Sequence, residues 1–101
     1  MIKHIVFWKL KSEAEGATAA ENAKKLNFLF KSLKEKVPEL LSIESGKNFN
    51  PTDAAWDYAL YTAFHTREDL DRYQVHPEHL KVGEFLRKVV SDRSVVDYEI
   101  E

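Results

Sequence analysis

The chain lacks cysteine altogether, which excludes disulfide bonds, thiolate nucleophiles and cysteine metal ligands. Glycine and proline are scarce, with three of each among 101 residues, so we expect no flexible linker and no glycine-rich phosphate loop. No apolar run approaches membrane-spanning length, and Lys3, Lys9 and Lys11 interrupt the apolar stretch where a signal peptide would lie. We therefore expect one soluble domain over residues 1–101, located in the cytoplasm and without a membrane partner.

An excess of charge of one sign is also missing, because fifteen basic and seventeen acidic residues give a formal net charge of -2. A nucleic-acid surface requires clustered basic charge, so no nucleic-acid partner is expected. His76 and His79 have no evident third ligand and do not form a His-Glu-x-x-His motif, so we expect no metal site. There is no nucleotide-binding motif and no serine in a Gly-x-Ser-x-Gly setting, so neither nucleotide binding nor a serine nucleophile is expected. We expect no cofactor.

Four segments rich in β-branched and aromatic residues predict β-strands. These segments are Ile2–Leu10, 42–49, 58–65 and 93–100. Between the first two, apolar residues recur at three- and four-residue steps, which predicts one long helix that ends at Pro38. The apolar stripe of this helix consists of Ala19, Ala23, Leu26, Phe30, Leu33 and Val37.

Capping signals predict where the helices begin. Two candidate capping boxes precede the long helix, and they are Ser12 with Glu15 and Thr18 with Glu21. Gly16 lies between them and favours the later start. Thr66 with Asp69 can cap a short helix through Tyr73, and Pro77 suits the first position of another helix that ends near residue 90.

The order βαββαβ predicts an α+β domain with a four-stranded antiparallel sheet and helices on one face. A sheet with one solvated face should alternate apolar and polar residues, and this sequence does not. Several apolar residues would lie bare on the face without helices: Ile5, Phe7, Ala59, Tyr61 and Ala63. Because a contiguous apolar patch usually marks an interface, we expect a homodimer formed through this sheet face.

Three segments resemble the stress-responsive dimeric α/β-barrel (Dabb) family in the same order along nearly the whole chain. They are Ile2–Leu10, the His76-Pro77-Glu78-His79 motif with Tyr73 before it, and Ser94–Tyr98. The resemblance implies ferredoxin-like halves that pair as a dimeric barrel, in a family whose members mostly lack assigned functions. A plant member closes a linear polyketide by an aldol step without a cofactor, and its functional residues match His4, Tyr73 and His79. A further histidine of that cyclase has no counterpart here.

These three residues form the candidate catalytic set. If Pro77 begins a helix, His79 lies in its first turn, where the helix dipole disfavours a cation and keeps the imidazole neutral. A neutral imidazole can abstract a proton next to a carbonyl, and Tyr73 could donate a hydrogen bond to the developing oxyanion. His4 could orient a second polar group. The predicted activity is that of a cyclase, isomerase or lyase acting on a small carbonyl or aromatic compound.

Structural roles for the same side chains are equally open at this level. His76 can cap a helix, His79 can bond a carbonyl, and Tyr73 can fill space in the core. Asp97 is expected to make a structural hydrogen bond or a dimer contact. The alternative to an enzyme is a non-catalytic homodimer that binds a small apolar or aromatic ligand or has a stress-associated structural role. An enclosed cavity containing His4, Tyr73 and His79 together would favour the enzyme.

Overall fold

The computed structural model describes residues 1–101 as nine helices and strands in sequence. They are β1 (Ile2–Leu10), β2 (Glu13–Ala14), β3 (Ala17–Thr18), α1 (Ala19–Lys36), β4 (Ser42–Lys47), β5 (Tyr58–Phe64), α2 (Arg67–Val75), α3 (Pro77–Val89) and β6 (Val90–Glu99). The predicted βαββαβ order is confirmed, with α2 and α3 together forming the second helical connection. No helix is both long enough and apolar enough to cross a membrane.

Four strands form one antiparallel sheet in the order β4–β5–β1–β6, which is the ferredoxin-like arrangement expected from the sequence. The first strand, β1, lies in the interior of the sheet, between β5 and β6. Its pairing with β6 joins the two ends of the chain and places His4 opposite Asp97. Side chains of directly paired residues share a face, so this register brings a histidine and a carboxylate together.

A small hairpin precedes α1 and was not predicted. Strands β2 and β3 are joined by Glu15 and Gly16, which both adopt positive φ, 53° and 73°. Two consecutive positive φ values are typical of the tight turns that match strand twist. The chain then enters α1 through Thr18, whose side chain accepts from the Glu21 backbone while the Glu21 side chain accepts from Thr18 N–H. The later capping box is therefore the one used, and the earlier one is not.

The second half of the chain follows its capping signals closely. The Thr66 side chain caps α2, and Pro77 is the first residue of α3. His76 caps α3, with its Nδ1 accepting the Glu78 backbone N–H at 3.1 Å. The last strand begins at Val90 instead of residue 93, because β1 continues to pair with β6 as far as Leu10 after a local shift of register.

The helix-covered face of the sheet holds the core. In β1 the buried positions alternate and include Ile2, His4, Val6 and Trp8. The Trp8 ring stacks on Phe30 of α1 with centroids 5.5 Å apart. Parity along β1 alone left the face of His4 undecided, and the structure places it beneath the helices with 3% of its surface exposed.

The opposite face of the sheet is uncovered in a single chain and carries apolar side chains. Ile5 pairs with Tyr61 on one side and with Val96 on the other, so these three side chains form a continuous strip. Phe7 and Val96 expose 37% and 51% of their surfaces. The predicted failure of polar alternation on this face is confirmed, but the prediction that Ala63 lies bare is wrong, because only 2% of its surface is exposed.

Candidate functional site

A cavity of about 240 Å³ lies between the sheet and the helices α1 and α3. Its apolar lining residues are buried or half-buried, and three of its polar ones are exposed at the rim. The apolar residues are Val6, Trp8, Phe30, Leu60, Leu86 and Val90, and the polar ones are His4, Gln74, His79, Arg87 and Arg93. A concave apolar space with a few convergent polar groups is the usual form of a small-molecule site. A wider depression beside Trp56 has no histidine among its lining residues.

His79 lies in the first turn of α3, as expected once Pro77 begins the helix. Its Nδ1 is 3.2 Å from the carbonyl oxygen of Gln74 in α2. A carbonyl only accepts hydrogen bonds, so Nδ1–H is the donor and Nε2 is the unprotonated nitrogen of the neutral ring. The Nε2 atom has no partner within the chain. His79 therefore offers a basic nitrogen whose tautomer is fixed by the turn between two helices.

Burial lowers the pKa of His79 below its ordinary value of 6.5, and the nearby His4, Arg93 and His76 lower this pKa further. The hydrogen bond to the Gln74 carbonyl acts in the opposite direction by favouring the charged ring. The expectation was that the helix dipole keeps this ring neutral, whereas burial is the largest cause. A neutral ring at pH 7 can accept a proton.

His4 is held from the other end of the chain. Its Nδ1 contacts Oδ1 of Asp97 on the neighbouring strand β6. Carboxylates at neutral pH only accept, so Nδ1–H donates and Nε2 is left without a partner in the chain. The expected structural hydrogen bond of Asp97 is thus present, and its partner is one of the candidate residues. Opposite His4 on β5, the buried Thr62 hydroxyl donates to the His4 carbonyl at 2.8 Å and fixes the strand there.

Tyr73 lies beside both histidines. Its ring centroid is 4.3 Å from that of His79 and 6.3 Å from that of His4. The side chain is completely buried and its hydroxyl makes no hydrogen bond within the chain. Burial raises the pKa of this hydroxyl, so it remains protonated and can act as a donor. An unpartnered buried hydroxyl is costly and requires an explanation.

The structure thus brings the rings of His4, Tyr73 and His79 together, although only the two histidines line the cavity. His76 caps a helix and His65 is exposed at the end of its strand. Nowhere do three histidine or acidic side chains come close enough to hold a metal ion.

Three polar lining residues were missed by sequence reasoning: Gln74, Arg87 and Arg93. Arg87 follows His79 at eight residues, so the helical period alone places both on one face of α3. Arg93 shares the strand parity of Asp97, but the link to His4 required the β1–β6 register. Gln74 contributes through its backbone carbonyl, which leaves no signal in the side-chain sequence.

A family model described as the Stress responsive A/B Barrel Domain (Dabb) matches residues 2–100. The chain belongs to the Dabb family. The resemblance noted in the sequence is thereby confirmed, and all residues of the candidate site lie inside the matched range of this Dabb chain. A comparison with curated proteins gave no match.

Solved structures similar to this Dabb chain include two described as dimeric ferredoxin-like proteins and one described as a hydroxynitrile lyase. A dimeric ferredoxin-like protein of unknown function from Bacteroides fragilis NCTC 9343 is 32% identical, with a TM-score of 0.84 and coverage of 98% of this chain and 95% of that chain. A dimeric ferredoxin-like protein from Thermobifida fusca YX is 19% identical, with a TM-score of 0.83 and coverage of 98% and 90%. The hydroxynitrile lyase of Passiflora edulis is 19% identical, with a TM-score of 0.83 and coverage of 99% and 93%. At 19% identity these last two show the shared fold alone.

Proposed function

We propose that this Dabb protein is a homodimeric enzyme that performs cofactor-free acid–base chemistry on a small carbonyl or aromatic compound. One observation carries the proposal. Two histidines from distant parts of the chain line one apolar cavity, each with Nδ1 engaged and Nε2 without a partner in the chain. Two basic nitrogens that face one cavity suit proton transfer to and from a bound compound.

In the proposed reaction His79 is the general base. Its Nε2 takes a proton from the carbon next to a carbonyl, the C–H electron pair moves into the enolate, and the negative charge develops on the carbonyl oxygen. Tyr73 is proposed to donate the hydrogen bond of its buried, unpartnered hydroxyl to that oxygen. Because Tyr73 does not line the cavity, this step requires the site to open towards Tyr73 when the compound binds. Return of the proton to another carbon, or attack of the enolate on a second carbonyl, gives an isomerase or cyclase outcome.

His4 is proposed as the second proton-transfer group, facing the ligand from the sheet. Asp97 is its positioning residue, because the carboxylate holds the ring in one tautomer and orientation. The hydroxynitrile lyase of Passiflora edulis shows that this fold accommodates lyase chemistry in another protein. At its level of identity it adds support for the fold and none for individual residues.

The homodimer is proposed to form through the uncovered sheet face. Ile5, Tyr61 and Val96 form its central strip, and an apolar surface of this kind gains most of its stabilisation by removal from water. The Bacteroides fragilis and Thermobifida fusca proteins are both described as dimeric, which supports the proposal. The cavity lies on the other side of the sheet, so pairing would leave its rim accessible.

The decisive experiment is α-proton exchange of acetophenone and other aryl methyl ketones in D₂O, followed by proton NMR. We expect the protein to accelerate exchange and His79→Ala to lower the rate by about 10²-fold or more, the usual contribution of a general base. The matched control is His65→Ala, an exposed histidine outside the cavity, which should leave the rate unchanged. Ketone binding without any exchange would support the non-catalytic ligand-binding alternative and contradict the enzyme.

A further inference from the structure

Building on the proposed function, we infer that the compound held in this cavity carries a carboxylate, which Arg87 and Arg93 bind at the rim. The apolar part of the cavity would hold the apolar body of the molecule. The carbonyl group that reacts would lie between this body and the carboxylate. Four separate features of the structure carry this inference.

The arginines of the chain fall into two classes. Arg67 pairs with Glu99 and Arg72 pairs with Asp69, so both guanidinium groups outside the cavity are neutralised within the chain. Arg87 and Arg93 both line the cavity, and neither guanidinium takes part in a salt bridge or a side-chain hydrogen bond. Two unpaired guanidinium groups at one rim favour a bound anion, because each can donate in the planar geometry that suits a carboxylate.

Carboxylates are excluded from the lining itself. The chain has seventeen acidic residues, yet none of them lines the cavity. The two acidic residues nearest to Arg93 along strand β6 do not line the cavity. The Asp97 carboxylate is engaged by His4, and the Asp92 carboxylate accepts the Arg93 backbone N–H at 2.8 Å. The pKa of His79 is lowered mainly by burial, and the nearby His4 and Arg93 lower this pKa further. A ligand carboxylate would thus enter a region of positive potential with no competing internal anion.

Gly83 makes room for this rim. It lies inside α3, where glycine costs helix stability, and a Cβ placed there would be 3.4 Å from Nη1 of Arg87. The guanidinium of Arg87 therefore extends back across Gly83, one helical turn before it and on the side of His79. Because Gly83 has no side chain, the guanidinium of Arg87 can lie close to the helix, and the opening of the cavity stays wide.

The apolar walls and the volume of the cavity determine the size and character of the rest of the ligand. Its walls include the indole of Trp8 and the ring of Phe30, which lie nearly parallel at an interplanar angle of 15°. The volume of about 240 Å³ is below the range of about 300–1,000 Å³ found for drug-sized ligands. An aromatic or short-chain acid of the size of cinnamate matches these dimensions, with its ring in the apolar depth and its carboxylate at the arginines.

The test compares trans-cinnamate with cinnamamide, a neutral molecule of nearly the same shape, by isothermal titration calorimetry on the full chain. We expect cinnamate to bind at least tenfold more tightly. Arg93→Gln and Arg87→Gln should each remove most of this preference without changing cinnamamide binding, and Arg93→Lys should retain part of it. Arg67→Gln is the matched control and should leave both affinities unchanged.

Equal affinity for the two probes, or binding of neither, would overturn the inference, as would a preference that survives in the Arg87→Gln/Arg93→Gln double variant. Calorimetry measures binding and does not depend on turnover, so this result is separate from the proposed chemistry. If cinnamate is not preferred but ketone exchange still depends on His79, the carboxylate inference is wrong and the enzyme proposal is retained. If cinnamate is preferred but no ketone exchange occurs, the carboxylate inference is retained and the enzyme proposal is wrong.

Discussion

The two faces of the sheet depart from the ordinary pattern in opposite ways. The helix-covered face should be apolar throughout, yet it buries His4 and Thr62 and borders a cavity with two histidines and two arginines. The uncovered face should be polar, yet it exposes Phe7 and Val96. Buried polar groups and exposed apolar groups both cost stability unless a partner accounts for them. The two departures match what the proposed ligand cavity on one face and the proposed dimer surface on the other would require.

The largest effect, on dimer stability, is expected when a charged residue is introduced into the uncovered face of the sheet. Ile5→Asp would place a carboxylate in the apolar strip of both protomers, where an unpaired buried charge costs about 3–5 kcal/mol. We expect the dimer dissociation constant to rise on the order of 10⁴-fold or more. Analytical ultracentrifugation at micromolar concentration measures this change.

Phe28→Asp is the matched control, because Phe28 lies on α1 with 72% of its surface exposed and away from the sheet. It should leave the dimer intact. A wild-type chain that is monomeric at micromolar concentration would contradict the assignment of this face.

A smaller effect is expected from two buried tyrosines on the covered side of the sheet, of which Tyr58 has a hydroxyl partner and Tyr73 has none. Tyr73→Phe removes a buried hydroxyl without a partner and should raise the free energy of unfolding by about 1 kcal/mol. Tyr58→Phe removes a hydroxyl that lies 2.7 Å from Ser45 Oγ, and should lower the free energy of unfolding by about 1 kcal/mol. Urea denaturation followed by circular dichroism measures both.

The same Tyr73→Phe variant sharpens the functional side of the comparison. If its hydroxyl serves the ligand, ketone exchange should slow although the fold becomes more stable. A variant that is destabilised and fully active would assign Tyr73 to packing alone.

Gly83→Ala should have a similar size of effect on stability. Alanine is favoured over glycine inside a helix by up to about 1 kcal/mol, and the new methyl group would meet Arg87 Nη1 at a distance that a small shift relieves. We expect a higher melting temperature together with weaker cinnamate binding, since the methyl group narrows the rim. Unchanged binding in this stabilised variant would show that Gly83 has no role at the cavity.

The smallest effect concerns pH and the half-buried His79. Its pKa is lower in the folded chain than the ordinary 6.5, so the unfolded chain binds more protons as the pH falls below that value. The contribution of this group to stability is therefore complete above pH 6.5 and is lost as the pH falls through the folded pKa. Melting curves between pH 7 and pH 5 should show a smaller loss for His79→Gln than for the wild type. If the melting temperature of both proteins fell equally between pH 7 and pH 5, His79 would not contribute to the loss of stability in acid.

Local features of the fold followed directly from the sequence. Strand β1 and helix α3 begin where their patterns predicted, and the Thr18 and Thr66 caps are both used. These signals work because capping and hydrophobic period depend on residues a few positions apart. The β2–β3 hairpin was missed because two-residue strands carry no period, and the start of β6 was misplaced because pairing with β1 extends it.

The candidate site was predictable only in part. His4, Tyr73 and His79 could be named in advance, but their surroundings could not. Asp97 is separated from His4 by 93 residues, and only the β1–β6 register brings them together. The carbonyl that fixes the His79 tautomer belongs to the backbone of Gln74 and has no side-chain signature.

The sequence by itself determined the order of helices and strands, the positions of the caps, and the presence of a sheet that is apolar on both sides, because each is a pattern of near neighbours in the chain. Tertiary structure decided which face carries His4, which carboxylate holds it, and why Arg87 and Arg93 have no internal partner. Those properties arise from contacts between strands and helices far apart in sequence, where strand register and packing set the distances between charges.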